Sequence, residues 1–148
     1  MKVAGEIVTS QPANALPVTE ATVQNNTPQN DAPVVEALTD INIEDTTSDD
    51  SFSNVSKFIN ASDPEGDELE FSIVNGSSDT SQGGYDSSLL GTYGTLYISK
   101  GTGGLLYIPN DTAIEGLTAN ATEEFNLNIS DGTNEISQTL KAFIFGAD

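Results

Sequence analysis

The sequence has no cysteine, histidine or tryptophan, and its four cationic residues are all lysines. Without Cys there is no disulfide framework and no thiolate metal site; without His there is no imidazole ligand. Any metal must therefore be held by oxygen. The missing His also removes the commonest acid–base group and the usual activator of a Ser or Thr nucleophile. Paired carboxylates can hydrolyse glycosides, but nothing here sets one raised and one lowered pKa in a cleft, so no enzyme is expected. Lys2, Lys57, Lys100 and Lys141 stand against 23 Asp and Glu, for a formal net charge of −19. That surface repels phosphate backbones and anionic lipid, so neither nucleic acid nor a membrane is an expected partner. There is no apolar run of the roughly 18 residues that mark a membrane span. Met1-Lys2 is not followed by the apolar segment of a signal peptide.

What is present is short-period alternation. Residues 1–29 form a block rich in Ala, Thr, Gln and Asn, broken by Pro12, Pro17 and Pro28 and free of aromatics. It reads as a linker or the remnant of a preceding unit, largely disordered, with one strand-like run at Val3–Thr9. Asn30-Asp31-Ala32-Pro33 marks the boundary, and 30–148 is the domain. Strand signals then recur: one strand from Val34 to Ile43, then Phe52–Ile59 anchored by Val55, Phe58 and Ile59. Glu68–Val74 follows with Leu69, Phe71 and Ile73 on one face, then a long polar loop over 75–91. Tyr93–Ser99 and Leu105–Pro109 flank a Gly-rich turn. A polar crossover over 110–122 tucks in Ile114 and Leu117 as one helical turn. Glu123–Ser130 and Glu135–Phe145 close the pattern. Seven short strands of period two predict an all-β, seven-stranded β-sandwich, with the alternating apolar side chains as its core.

The chemistry-bearing stretch is Ser62-Asp63-Pro64-Glu65-Gly66-Asp67-Glu68. Asp63, Glu65 and Asp67 stand at i, i+2 and i+4, and Gly66 falls where a tight loop needs a positive φ. Ca²⁺ takes six to eight oxygens, and such spacing lets one loop supply several. The plain alternative is a solvated acidic turn. Strand reversal decides which loops share an end: the turn after the fourth strand of the set, the turn carrying Asp131 and the incoming Asn30-Asp31 return to the end that holds the 62–68 loop. Five or six like charges within a Debye length repel strongly, so the convergence points to bound Ca²⁺. The far end carries Glu44, Asp45, Asp49 and Asp50 in one turn, Asp111, Glu115, Glu123 and Glu124 in the crossover, and Asp148. Those residues either form a second site with a following unit or a solvated acidic rim. Tyr93, Tyr97 and Tyr107 on one sheet face would make a stacking platform for sugars; ordinary sheet filling is the plainer reading.

Asn30-Asp31-Ala32-Pro33-Val34-Val35 followed by Asp63-Pro64-Glu65-Gly66-Asp67-Glu68-Leu69 resembles the opening of bacterial cadherin-like repeats. Gly91–Ile98, Leu105–Asn110, Phe125–Gly132 and the closing Phe145-Gly146-Ala147-Asp148 resemble VCBS-type repeats. The resemblance implies an immunoglobulin/cadherin-like Greek-key sandwich, one of a tandem series in a large secreted adhesin of the RTX type. It implies an extracellular location on the bacterial cell surface, roles in adhesion and biofilm, and Ca²⁺ at the junctions. By position it carries the metal ligands onto Asn30, Asp31, Asp63, Glu65, Asp67 and Asp131, with Glu44 as the acidic residue closing the first strand. Neighbouring tandem repeats are the implied partners, and surface glycans or proteins the alternative ones. The pattern departs at Glu65, where many repeats have Asp, and at the exit, which lacks Asn-Asp.

Overall fold

The computed structural model describes residues 29–146. The linker and strand expected over residues 1–28, and the exit through Asp148, fall outside the described residues. The strands in chain order are β1 (Val34–Val35), β2 (Ile41–Glu44), β3 (Val55–Phe58), β4 (Ala61–Ser62), β5 (Glu70–Ile73) and β6 (Ser77–Ser78). They continue with β7 (Ser87–Leu90), β8 (Gly94–Ile98), β9 (Gly104–Pro109), β10 (Ala121–Ser130) and β11 (Glu135–Phe145), and a short helix, α1 (Asp111–Glu115), lies between β9 and β10. One sheet runs β3-β9-β8-β7-β6, the second β2-β11-β10-β5, and β1 pairs with β4 as a small ribbon. Pairing is antiparallel except for β2, which lies parallel to β11 from Ile41↔Ala142 to Glu44↔Phe145. The fold is the all-β sandwich expected from the alternation.

The two sheets bury their alternating faces against each other. Phe125, Leu127 and Ile129 from β10 and Leu140, Ala142 and Ile144 from β11 are all buried, as are Leu96, Ile98, Leu105 and Tyr107 from the facing sheet. The Tyr107 and Phe125 rings meet edge to face, with centroids 5.9 Å apart at 68°, the geometry favoured by the ring quadrupoles. Gly94 is required beside them, because a Cβ there would collide with the Tyr107 ring. The crossover closes one end as a plug. Asn110 caps α1 by accepting a hydrogen bond from the Ala113 N–H at 3.1 Å, and Ile114 is fully buried while Leu117 packs against the core.

Four sequence expectations need correction. The strand expected from Val34 to Ile43 is two strands in different sheets: residues 36–40 leave the β1–β4 ribbon for β11, with Leu38 packed against the core and the Glu36 N–H bonded to the Asn60 carbonyl at 2.9 Å on the way. The loop over 75–91 instead holds β6 and β7, which pair at Ser77↔Ser88 and extend the larger sheet. Phe58 is not an anchor: it is 70% exposed. Its register opposite Gly104 puts it on the outer face, while its neighbour Ile59 turns inward. The tyrosines do not share a face either. Tyr107 is inward with its hydroxyl on Glu123, whereas Tyr97 alternates outward between buried Leu96 and Ile98, so no stacking platform forms.

Leu127→Ala is expected to cost about 2–5 kcal/mol, since it opens a cavity between close-packed sheets. Phe58→Ala should stay within about 0.5 kcal/mol, because it removes a side chain that already faces water. Urea unfolding of the two variants checks both values, and similar losses would contradict the burial pattern.

Candidate metal centre

The loop between β4 and β5 is built around one carboxylate. Asp63 Oδ2 accepts the Glu65 N–H at 2.9 Å and the Asp67 N–H at 3.0 Å, while the Gly66 N–H bonds to the Asp63 carbonyl at 3.0 Å. Gly66 takes φ +79°, a region that an L-residue enters only at a cost. This winding keeps Asp63, Glu65 and Asp67 on one concave side, with one ligand atom from each lying within 4.8 Å of the others.

The neighbouring turn is wound the same way. Asp131 Oδ1 accepts the N–H groups of Thr133 at 2.8 Å and Asn134 at 2.7 Å. Its other oxygen accepts from Asn30 Nδ2 at 2.8 Å. Asn134 Nδ2 in turn holds the Asn30 carbonyl at 2.9 Å, and the Asp31 N–H reaches Glu65 Oε1 at 3.1 Å. The incoming chain is thereby clipped across both turns. Asn134 was not singled out by its sequence; an Asx-type turn of the form Asp-Gly-Thr-Asn was the available signal.

The structure thus gathers Asn30, Asp31, Asp63, Glu65, Asp67 and Asp131 at one end. Glu44 does not join them. It closes β2 opposite Phe145, at the other end of β11 from the Asp131 turn, because β2 runs parallel to that strand. Glu123 also leaves the acidic group expected at the far end: it turns to the β7–β8 connection, where it accepts the Thr92 N–H at 2.8 Å and the Tyr107 hydroxyl.

One atom in this centre lacks a partner. Asp63 Oδ1 is shielded from solvent and receives no hydrogen bond, although the loop has saturated Oδ2. A shielded, unbonded carboxylate oxygen is unfavourable by about 1–3 kcal/mol or more. Crowding shows in the titration. Partial desolvation raises the Glu65 pKa; the Asp31 N–H works against it, and the negative charges of Asp31 and Asp63 add to the rise. The N–H groups of Asn134 and Thr133 hold the Asp131 pKa below the usual value. A hard divalent cation fits this donor set. Every group is an oxygen ligand or an amide carbonyl, and Asp63, Glu65 and Asp67 each bring one oxygen within 4.8 Å of the others. Asp63, Asp67, Asp131 and Glu65 would hold it, with Asn30 and Asp31 closing the shell from the incoming chain.

Residues 30–142 match the family model described as bacterial Ig domain. No curated protein matches the chain. Among solved structures, the EC1-2 segment of human protocadherin-24 is similar at 14% identity and TM-score 0.46, covering 78% of this chain and 44% of that one. Its second crystal form gives 15% identity and TM-score 0.44, covering 80% of this chain and 46% of that one. An endo-fucoidan hydrolase of glycoside hydrolase family 107 is similar at 18% identity and TM-score 0.43, with 79% of this chain and 14% of that one covered. The chain therefore spans less than half the length of each of these structures. No helix among the described residues is long and apolar enough to cross a membrane.

The pKa directions set the pH response of the cation-free protein. Glu65 and Glu115 have raised values. Their stabilising contribution is complete below the ordinary value of 4.5 and is lost as pH rises through their folded values. Asp50, Asp79 and Asp131 have lowered values, so theirs is present above the ordinary value of 3.8 and lost as pH falls through the folded ones. Melting temperature in a chelator should therefore climb on acidification from neutrality toward 4.5 and drop again below 3.8. Thermal melts followed by circular dichroism check this; a steady fall from neutrality downward would contradict it.

Proposed function

The chain belongs to the bacterial Ig domain family, and from that premise we propose that it is a Ca²⁺-binding structural and adhesion repeat. In this reading it is one extracellular module of a large secreted surface adhesin of the VCBS or RTX type, joined in tandem to neighbouring repeats. The observation that carries the reading is the shielded, unpartnered Asp63 Oδ1 at the meeting point of the incoming chain and two acidic turns. A divalent ion supplies the missing partner there. The work of the chain's own residues is to bring remote carboxylates together. Asn30 reaches across to Asp131 over 101 positions of sequence, so whatever precedes Asn30 is tied to the sandwich by the same groups that bind the ion. The ion would supply charge neutralisation and cross-linking. No catalytic step is involved: the module's role is mechanical, fixing the angle at which one unit follows another.

Ca²⁺ should raise the melting temperature by several degrees, because binding to the folded state adds about 2.7 kcal/mol at a hundredfold excess over the dissociation constant. In two-dimensional NMR the amides of Asp31, Glu65, Asp67 and Asn134 should shift on Ca²⁺ addition, and Asp63→Asn combined with Asp67→Asn should abolish those shifts. Amides at this end that stay in place at saturating Ca²⁺ would refute the proposal.

A further inference from the structure

Strand β3 is the outermost strand of the larger sheet, and among the described residues no strand pairs with its far side. Which backbone groups stand open there follows from one rung. The Ile59 N–H bonds to the Gly103 carbonyl at 2.9 Å. By the period of two in an antiparallel ladder, the N–H and C=O groups of Val55 and Lys57 then turn toward β9, and those of Ser56 and Phe58 point out of the sheet. The same parity turns the Asn60 carbonyl outward, where the Glu36 N–H takes it at 2.9 Å. The β1–β4 ribbon, paired at Val34↔Ser62 and Val35↔Ala61, therefore covers this edge only as far as Asn60. Beyond that point the chain departs for β2. A groove of about 300 Å³ opens between residues 36–39 on one side and Lys57, Phe58 and Asn60 on the other.

An open edge beside an exposed apolar side chain invites an added strand. Its side chains set what that strand must bring. Phe58 is exposed on the outer face, with its ring over Gly104 of the next strand. Val55 and Lys57 lie on the inner face, opposite buried Tyr107 and Leu105. The Lys57 ammonium meets the Thr39 hydroxyl at 2.8 Å and, among the described residues, pairs with no carboxylate. The fitting strand is therefore apolar beside Val55, anionic beside Lys57 and slight beside Phe58. Residues 3–9, Val-Ala-Gly-Glu-Ile-Val-Thr, meet all three demands in one antiparallel register. With Glu6 opposite Lys57, Val8 faces Val55 and Ala4 faces Ile59 on the inner side. Gly5 stands opposite Phe58, and Ile7 lies opposite Ser56, diagonal to the Phe58 ring. Backbone parity agrees: in this register Gly5 and Ile7 direct their N–H and C=O groups at Phe58 and Ser56. The tether is long enough. Residues 10–29 separate Thr9 from Asn30 and extend over as much as about 66 Å, whereas the path along the edge from Asn54 to Asp63 is about 30 Å.

We propose that residues 4–9 of the same chain add an antiparallel strand to the open edge of β3, with Glu6 beside Lys57. The added strand continues the row that the β1–β4 ribbon begins. It gives the outward groups of Ser56 and Phe58 their partners and places Ile7 against the Phe58 ring. It also occupies an edge that would otherwise be free to pair with another chain. The segment does not depend on a bound cation, because the incoming chain from Asn30 onward is held by its own hydrogen bonds.

The test is amide hydrogen exchange of the full chain by two-dimensional NMR. The Ser56 and Phe58 amides should exchange roughly tenfold or more slowly in the native sequence than in Ile7→Pro, which removes the N–H aimed at the Ser56 carbonyl. The Val55 and Lys57 amides face β9 and should exchange alike in both proteins, which shows that the sandwich itself is intact. A nuclear Overhauser contact between the α-protons of Glu6 and Lys57 is also expected, since the two Cα atoms of such a pair stand about 4.5 Å apart. Equal exchange at Ser56 and Phe58 in the two proteins overturns the proposal, and so does the absence of the Glu6–Lys57 contact. In a mixture of nitrogen-labelled and carbon-labelled copies, that contact should stay within one chain. Its appearance between differently labelled chains makes a second copy the donor of the strand and overturns the proposal as well.

Discussion

Antiparallel strands return every second connection to the same end of a sandwich, and in this chain the connections carry most of the negative charge. The sheets themselves are largely apolar inside and hydroxyl- or amide-rich outside, so Asp and Glu are left to the turns. Strand reversal then concentrates them, Asp63, Glu65, Asp67 and Asp131 at one end and Asp45, Asp50 and Glu115 at the other. The fold does not avoid this crowding; it tightens it. Asp63 and Asp131 each draw two backbone N–H groups to one oxygen, which favours the charged form and locks each turn around its carboxylate. The turns are thus organised by anions, and the ion pair among the described residues, Lys100 with Glu70, involves none of these carboxylates.

Among the described residues two shielded side-chain oxygens lack partners, Asp45 Oδ1 and Asp63 Oδ1, and they fall one at each end. Buried polar atoms in folded proteins are overwhelmingly bonded, and the exceptions require a reason. The opposite oxygen of Asp63 accepts two backbone N–H groups. Both orphans sit where three or more carboxylates meet. The rigid part of the molecule sets that meeting. The β10–β11 hairpin runs ten continuous rungs from Ser130↔Glu135 to Ala121↔Ile144, and both clusters are anchored to it, one at its turn and one at its open end. The Tyr107 hydroxyl and the Thr92 and Tyr93 N–H groups occupy Glu123, which removes that carboxylate from the second cluster and uses it to fasten the facing sheet.

Much of this was legible in the residues. Period-two alternation placed Phe125, Leu127, Ile129, Leu140, Ala142 and Ile144 in the core, because burial of one sheet face is the strongest constraint on a strand. Gly66 was readable from loop chemistry, and the gathering of Asn30, Asp63 and Asp131 from strand parity alone. What escaped depended on partners distant in sequence. Nothing in Val34–Ile43 says that its two halves pair with β4 and β11, since both halves are equally good strands. Ser77–Ser78 and Ser87–Leu90 lack alternation and are strands only because β8 offers an edge to Ser87–Leu90, which in turn offers one to Ser77–Ser78. Phe58 looked like an anchor, yet register opposite Gly104 decides its face. Glu44 was counted among the metal ligands by resemblance and set at the far end by strand parity, and the parallel pairing of β2 with β11 puts it at that far end. The burial of Asp45 could not be read either, because it follows from the last rung of β11, where the Asp45 N–H bonds to the Phe145 carbonyl, and from the fold-back of Asp50 onto Thr46.

The separation of the two ends has its own consequence. About 30 Å of sheet lies between them, since β11 alone is 11 residues long at a rise of about 3.3 Å per residue. That is several times the roughly 8–10 Å over which charges in physiological salt feel one another. An ion at the first centre therefore does little to the carboxylates at the other end through the field alone, and the close-packed core between them transmits no hinge. Each end answers to its own chemistry: the first reaches outward to Asn30 and Asp31 of the incoming chain, the second closes inward on α1.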